Sequence, residues 1–328
     1  MKRNNITQHS GILALDKPAG ITSHDLVDLV RDLTGERRVG HAGTLDPFAS
    51  GLMYVCVGPA ARLSNYLTNK SKTYVARFVF GAATDTDDKL GKVVYAYQDA
   101  SKGNLKSALK NLINEDPNIV MKSIQGHSLQ LPPAYSAIKK GGVKAYEAAR
   151  RGKTIDLEPR EICIHSADVL STGFMNCKLN FEDNEISNVN MPYWDIRLSV
   201  SKGTYVRSIA RDLGQRFNCG AHVESLRRVK IDNFNVDDSL TIEKLKKEIK
   251  KNCEIPWVNP VKLLNFPSYE LSKEHYKLVS NGRTIPVLFD FNEPVCLIFE
   301  KRIVALGAVD HNVCKPICVF HKGVAGVV

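Results

Sequence analysis

The sequence predicts an α+β protein followed by a small C-terminal β-barrel. Three observations point there. Apolar runs of strand length occur at residues 12–18, 74–80 and 196–200. Apolar residues at helical spacing follow Thr22 and recur over residues 240–252, and helix-forming residues fill 145–152. Beyond a proline-punctuated connection at residues 256–260, short β-type runs remain at 295–299, 303–309 and 317–320. A chain of 328 residues has room for about two domains and a sizeable core.

Each element has a local cause. Residues 12–18 read as a strand stopped by Pro18. Thr22 then caps a helix, with Asp25 in the reciprocal place of a capping box. Leu26, Val30 and Leu33 recur at helical spacing, and Gly35 ends the pattern. Residues 40–51 hold Gly40, Gly43, Gly51 and Pro47, a poor helix and a poor strand interior. Pro47 keeps Asp46 off helical geometry, so this carboxylate sits on an extended or turning backbone. Taken alone, the segment is equally an ordinary Asp-Pro turn or a loop that presents a reactive side chain.

Residues 74–80 read as a strand with two largely apolar faces, and residues 84–91 as a turn. Residues 130–140 form a proline-kinked basic loop that leads into a helix closed by Gly152. Its interleaved tyrosines and cations suit RNA, or a solvated surface. Residues 171–192 are polar and Asn-rich, as in a lengthened hairpin or an insertion. In the helix over 240–252, Ile242, Leu245 and Ile249 face inward while five lysines crowd the rest, as a solvated face or an RNA contact.

Lys plus Arg number 45 against 35 for Asp plus Glu, a net charge of +10, which suits a polyanionic partner. The eight cysteines are scattered with no C-x-x-C, and the nine histidines show no ligand spacing, so no metal is inferred and the thiols read as reduced. No stretch is apolar and long enough to span a membrane, and residues 1–10 lack the apolar core of a signal peptide, so a cytoplasmic location is expected.

The segment Gly-His-Ala-Gly-Thr-Leu-Asp-Pro-Phe-Ala-Ser-Gly-Leu-Met at residues 40–53 matches the pattern G-H-x-G-T-L-D-P-x-A-x-G-x-L through Leu52. That pattern is the second motif of the TruB family of tRNA pseudouridine synthases, which this chain therefore resembles. Residues 15–24 match the family's first motif, residues 132–152 its P-P-x-Y-S-A-x-K and A-Y-x-x-A-R-x-G segments, and residues 201–214 and 221–228 its Ser-Lys-Gly-Thr-Tyr and Leu-Arg-Arg segments. At residues 231–234 the chain departs from the family's usual Ser-Gly-x-Phe turn, so the resemblance implies that Asp or Asn meets the turn geometry there in place of Gly.

The resemblance implies a mixed or antiparallel central sheet of the pseudouridine synthase fold with flanking helices, in a catalytic domain over residues 10–255. It implies an RNA-contacting insertion at 124–152 and a PUA-like RNA-binding barrel at 262–328. The implied reaction turns uridine into pseudouridine in the T loop of tRNA, position 55, after the base is flipped out. Asp46 matches the family's nucleophile. Tyr74 matches its active-site tyrosine, implied to stack on uracil and move a proton, and Arg207 the arginine implied to pair with Asp46. His41 is implied to fill the space the base vacates, Tyr205 and Leu226 to wall the pocket, and Lys139 and Lys17 to contact substrate. The isomerisation needs no cofactor or metal. The implied partner is tRNA alone, with no obligate protein partner and a monomeric state. Two other readings stand beside it: a guided relative working in a protein complex, and a non-catalytic RNA-binding or tRNA-folding module. The intact Asp46, Tyr74 and Arg207 speak against the last, and the unextended tail and the Pro-Pro-Ala-Tyr-Ser-Ala segment against the first.

Overall fold

The computed structural model describes residues 9–96, 110, 112–152, 155–180, 186–252 and 254–328. The chain forms two compact units, Met1–Lys70 with Asn233–Val328, and Ser71–Asp232.

The first unit begins with strand β1 (Gly11–Lys17), helix α1 (Ser23–Thr34), and strands β2 (Val39–Ala42) and β3 (Ser50–Val57). The capping box forms as predicted. Thr22 Oγ1 accepts from the Asp25 N–H at 3.0 Å, and Asp25 accepts from the Thr22 N–H at 2.8 Å. Gly35 closes α1 in the left-handed region at φ 67°. β3 pairs antiparallel with both β1 and β2. Leu26, Val27 and Val30 of α1 pack on Leu13, Leu15, Met53 and Val55. Each such side chain, fully buried, contributes about 1.5–3 kcal/mol. A short helix, α2 (Ser64–Thr68), follows.

The second unit holds strands β4 (Lys72–Phe80), β5 (Ala82–Thr84) and β6 (Val93–Ala96), helix α3 (Pro117–Ser123) and strand β7 (Gly126–Gln130). Next come β8 (Lys139–Lys140), β9 (Val143–Lys144) and helix α4 (Ala145–Arg150), then β10 (Arg160–Asn180), β11 (Ile186–Val200), helix α5 (Val206–Arg216) and β12 (Ala221–Ile231). Its main sheet runs β12-β4-β11-β10-β7, antiparallel at every step. Of the polar stretch at 171–192, the described residues 171–180 and 186–192 lie in the paired strands β10 and β11. Phe80, Trp194 and Phe217 form an aromatic cluster with ring centroids 4.7–6.4 Å apart. Arg77 binds Asp195 through two nitrogens at 2.7 and 2.8 Å and lies 4.1 Å over the Tyr193 ring. Asp232 supplies the left-handed turn residue expected after β12, at φ 50°.

The chain then returns to the first unit with β13 (Phe234–Asn235) and α6 (Ile242–Asn252). Phe234 meets Tyr54 edge-to-face at 5.9 Å. Ile242 and Leu245 are buried with the β1–α1 core and Ile249 packs against it, the inward face read from the sequence. After α7 (Pro260–Leu264) come β14 (Ser268–Glu270), α8 (Lys273–Ser280), β15 (Ile285–Pro286), β16 (Val295–Phe299), β17 (Arg302–Asp310) and β18 (Val313–Val324). These strands form a PUA-like β-domain in the order β14-β16-β17-β18-β15, with Val279, Val295, Leu297 and Ala305 in its core. Cys56, Cys219 and Cys296 are buried, and burial pushes each thiol up to about 12. Among the described residues, no helix is long and apolar enough to cross a membrane.

Candidate active site

In the first unit, Asp46 stands on the loop between β2 and β3, and the backbone on either side of it is pinned. Ser23 Oγ both donates to the Leu45 carbonyl at 2.8 Å and accepts from the Leu45 N–H at 2.9 Å. The Gly20 N–H donates to the Pro47 carbonyl at 2.8 Å, and the Ala49 N–H to the Asp46 carbonyl at 3.1 Å. Leu45, Phe48 and Ala49 are buried, while the Asp46 side chain is half-buried. Gly20 and Gly43 carry φ values of 93° and 95°, which a side chain at those positions would strain. These hydrogen bonds fix the loop backbone on both sides of the half-buried Asp46 carboxylate.

Lys17 has a structural task in this assembly. It is fully buried, and its ammonium donates to the Pro18 carbonyl at 2.9 Å and the Ile21 carbonyl at 2.8 Å. That fixes the turn whose Gly20 and Ser23 hold the Asp46 loop. His41 lies on β2, opposite Val55, five positions before Asp46.

In the second unit, Tyr74 sits on β4 and is 9% exposed. Its cross-strand partner on β12 is Arg228, and Leu226 pairs with Ala76, so Tyr74, Leu226 and Arg228 share one face of the sheet. Lys72, two residues before Tyr74, is on that face and buried. Burial lowers its pKa to about 8, helped by the charges of Arg228 and Lys202. Lys72 and Arg228 thus place two buried basic side chains beside Tyr74.

Arg207 lies in the first turn of α5 and is 4% exposed. Its Nη1 donates to the Thr86 carbonyl at 2.7 Å and lies 3.6 Å from Asp88, and its Nη2 donates to the Tyr135 carbonyl at 3.0 Å. Asp87, beside Asp88, lies 3.5 Å from Arg211. Burial pushes the Asp87 carboxyl up to about 6, against the pull of Arg211 and Arg207. The loop carrying both acids is stitched to β12. The Val223 N–H donates to the Asp87 carbonyl, the Lys89 N–H to the Val223 carbonyl, and the buried His222 ring bonds the Ala82 carbonyl at 3.0 Å.

Tyr205 is the N-cap of α5, two residues before Arg207. Lys139 lies on β8, paired with Lys144. The structure thus gathers Tyr74 with Leu226 on one sheet face and Tyr205 with Arg207 at one helix start, while His41, Asp46 and Lys17 share the other unit. Lys72, Arg228, Asp87, Asp88 and Gln130 are additional polar groups around these residues. The only local signal for them was polar residues inside otherwise apolar or turn-like segments.

Residues 31–206 match the family described as TruB family pseudouridylate synthase, N-terminal domain, and residues 207–256 match the tRNA pseudouridylate synthase B C-terminal domain. The chain belongs to the TruB family. As a member of that family it is an enzyme, an isomerase. The tRNA pseudouridine synthase B of Geobacillus thermodenitrificans is 32% identical over 94% of this chain and 99% of its own length. That of Geobacter sulfurreducens is 38% identical over 72% of this chain and 69% of its own. Among solved structures, a Cbf5-Nop10-Gar1 complex contains a chain of similar fold, with a TM-score of 0.58 and 23% identity over 94% of this chain and 83% of that one.

Proposed function

We propose that this TruB-family enzyme converts uridine to pseudouridine in the T loop of tRNA, at position 55, with Asp46 as the nucleophile. One observation carries the reading: a half-buried carboxylate on a loop whose backbone is fixed through Ser23 and Gly20. A nucleophile held this way needs no reorganisation when the base arrives. In the reaction the bond from N1 to the sugar breaks, the base turns, and C5 bonds to the same sugar carbon. C5 then loses a proton and N1 gains one. Carboxylates serve sugar carbons in this manner in retaining glycosidases.

In this reading the uridine leaves its stack, His41 takes the space it vacates, and the base lies on Tyr74. Tyr74 takes part in moving the proton from C5. Arg207 is the cation that pairs with the Asp46 carboxylate in this reading. Tyr205 and Leu226 wall the pocket. Lys139 and the rest of residues 124–152 meet the RNA backbone, and residues 262–328 form a second RNA-binding domain after a catalytic domain spanning residues 10–255. The net charge of +10 favours a polyanion. The enzyme works alone on tRNA.

The test is to incubate the purified protein with unmodified tRNA transcripts and map pseudouridine along each. The reading expects one modified site, in the T loop, without added cofactor or protein. Modification elsewhere only, or none, overturns it.

A further inference from the structure

Strand β7 inverts the usual rule of burial. Leu129 is 74% exposed and Leu131, just past the strand, is 47% exposed, while the polar Gln130 between them is 4% exposed. Apolar side chains gain by leaving water and amides lose by it unless they are hydrogen-bonded, so a buried Gln flanked by exposed leucines has a specific partner. The partner is 75 residues away in sequence. Gln130 Oε1 accepts from the Tyr205 backbone N–H at 2.8 Å, and Gln130 Nε2 donates to the Tyr205 carbonyl at 3.1 Å. Donor faces acceptor at both ends, which fixes the orientation of the amide.

Tyr205 is the N-cap of α5 and has extended backbone angles, φ −99° and ψ 110°, with no capping bond from its own side chain. The Gln130 amide therefore pairs with it as a neighbouring strand would. The chain after Gln130 lies along the first turns of the same helix. Ser208 Oγ and Arg211 Nη2 donate to the Leu131 carbonyl at 3.0 and 2.8 Å, and Arg207 Nη2 donates to the Tyr135 carbonyl at 3.0 Å. Gln130 is the point where this run of contacts begins.

We propose that Gln130 is a positioning residue for Arg207. By clamping both backbone groups of Tyr205 it sets where α5 starts, and so where the guanidinium two residues on is presented. It also ties that position to the segment over 124–152. The rate readout rests on the proposed function, whereas the structural readout does not.

The test uses Gln130→Glu, which keeps the acceptor for the Tyr205 N–H but sets a carboxylate oxygen against the Tyr205 carbonyl. At pH 8, single-turnover conversion of a tRNA transcript is expected to slow about tenfold or more, since small displacements of a catalytic group carry costs of that order. The Kd for the transcript stays within about twofold of wild type. The defect shrinks relative to wild type as pH falls toward 6, because a buried carboxyl takes up a proton and its O–H can then donate to the Tyr205 carbonyl. Hydrogen exchange at the Tyr205 amide is faster in the variant at pH 8. Added to Arg207→Lys, Gln130→Glu slows conversion by less than about twofold more, as expected of residues acting through one group. Gln130→Met fills the same space with neither donor nor acceptor, so it shows the exchange and rate defects with no recovery at low pH, and it serves if Gln130→Glu does not fold. Unchanged exchange at Tyr205, a loss of affinity at constant rate, or multiplicative effects with Arg207→Lys each overturn the proposal. A wild-type protein that leaves uridine untouched overturns the proposed function instead, and the exchange measurement then decides the clamp by itself.

Discussion

Replacing Asp87 by Asn sets two opposed effects against each other. Asp87 is 8% exposed, and burial pushes its carboxyl from 3.8 to about 6, although Arg211 lies 3.5 Å away and Arg207 is also near. In the unfolded chain the group loses its proton near the lower value, and in the folded chain near the higher one. The stability it contributes is therefore fully present below pH 3.8 and is lost as pH rises through 6. Above that window the buried charge costs the fold about 3 kcal/mol, from a shift of roughly two units at 1.36 kcal/mol each. Asn cannot ionise, and it tolerates the left-handed backbone found there, φ 59°. Arg211 keeps a partner in Asp212 at 2.8 Å. Asp87→Asn should thus raise stability at pH 8 by up to about 3 kcal/mol, or about 6–12 °C in Tm for a unit of this size, and change little at pH 4. Thermal unfolding of both proteins across that range, followed by circular dichroism, measures the gap. A variant less stable than wild type at pH 8, with the gap closing toward pH 4, would show that the pair with Arg211 outweighs desolvation and would refute the reasoning.

Two further outcomes follow from local geometry. Ser23→Ala leaves the Leu45 N–H and carbonyl without the hydroxyl that serves both, a cost of about 1–3 kcal/mol. Conversion in single-turnover assays should fall while the Kd for tRNA holds. Asp232, at φ 50°, should accept Gly with little change in Tm, whereas Asp232→Val should lose about 1–2 kcal/mol in urea titration, because a β-branched residue fits the left-handed region poorly.

What could be read from the sequence was what depends on near neighbours. The Thr22–Asp25 capping box closes within three residues, so its signal and its geometry coincide. The inward face of α6 was legible because Ile242, Leu245 and Ile249 repeat at helical spacing. The Asp46 loop was legible as a loop from its glycines and proline, but the hydroxyl that pins it comes from Ser23, 22 residues earlier. The stretch at 171–192 reads in the sequence as a hairpin or an insertion, and its described residues, 171–180 and 186–192, extend the two long strands β10 and β11. Its Asn-rich composition lacks alternation, and cross-strand pairing supplies the order that propensity does not. Around Arg207 the partners were illegible for the same reason. The Thr86 carbonyl lies 121 residues away in the chain and the Tyr135 carbonyl 72. No local pattern encodes such a contact.

The central claim is that a single fixed carboxylate performs the isomerisation. It is tested most directly by comparing wild type with Asp46→Asn on one tRNA transcript, measuring the Kd by filter binding and the pseudouridine formed in a single turnover with enzyme in excess. The account predicts a Kd within about twofold of wild type and a rate reduced by at least about 10³-fold, the scale on which removal of an essential nucleophile is felt. An Asp46→Asn protein that still forms pseudouridine at a rate near wild type would contradict it.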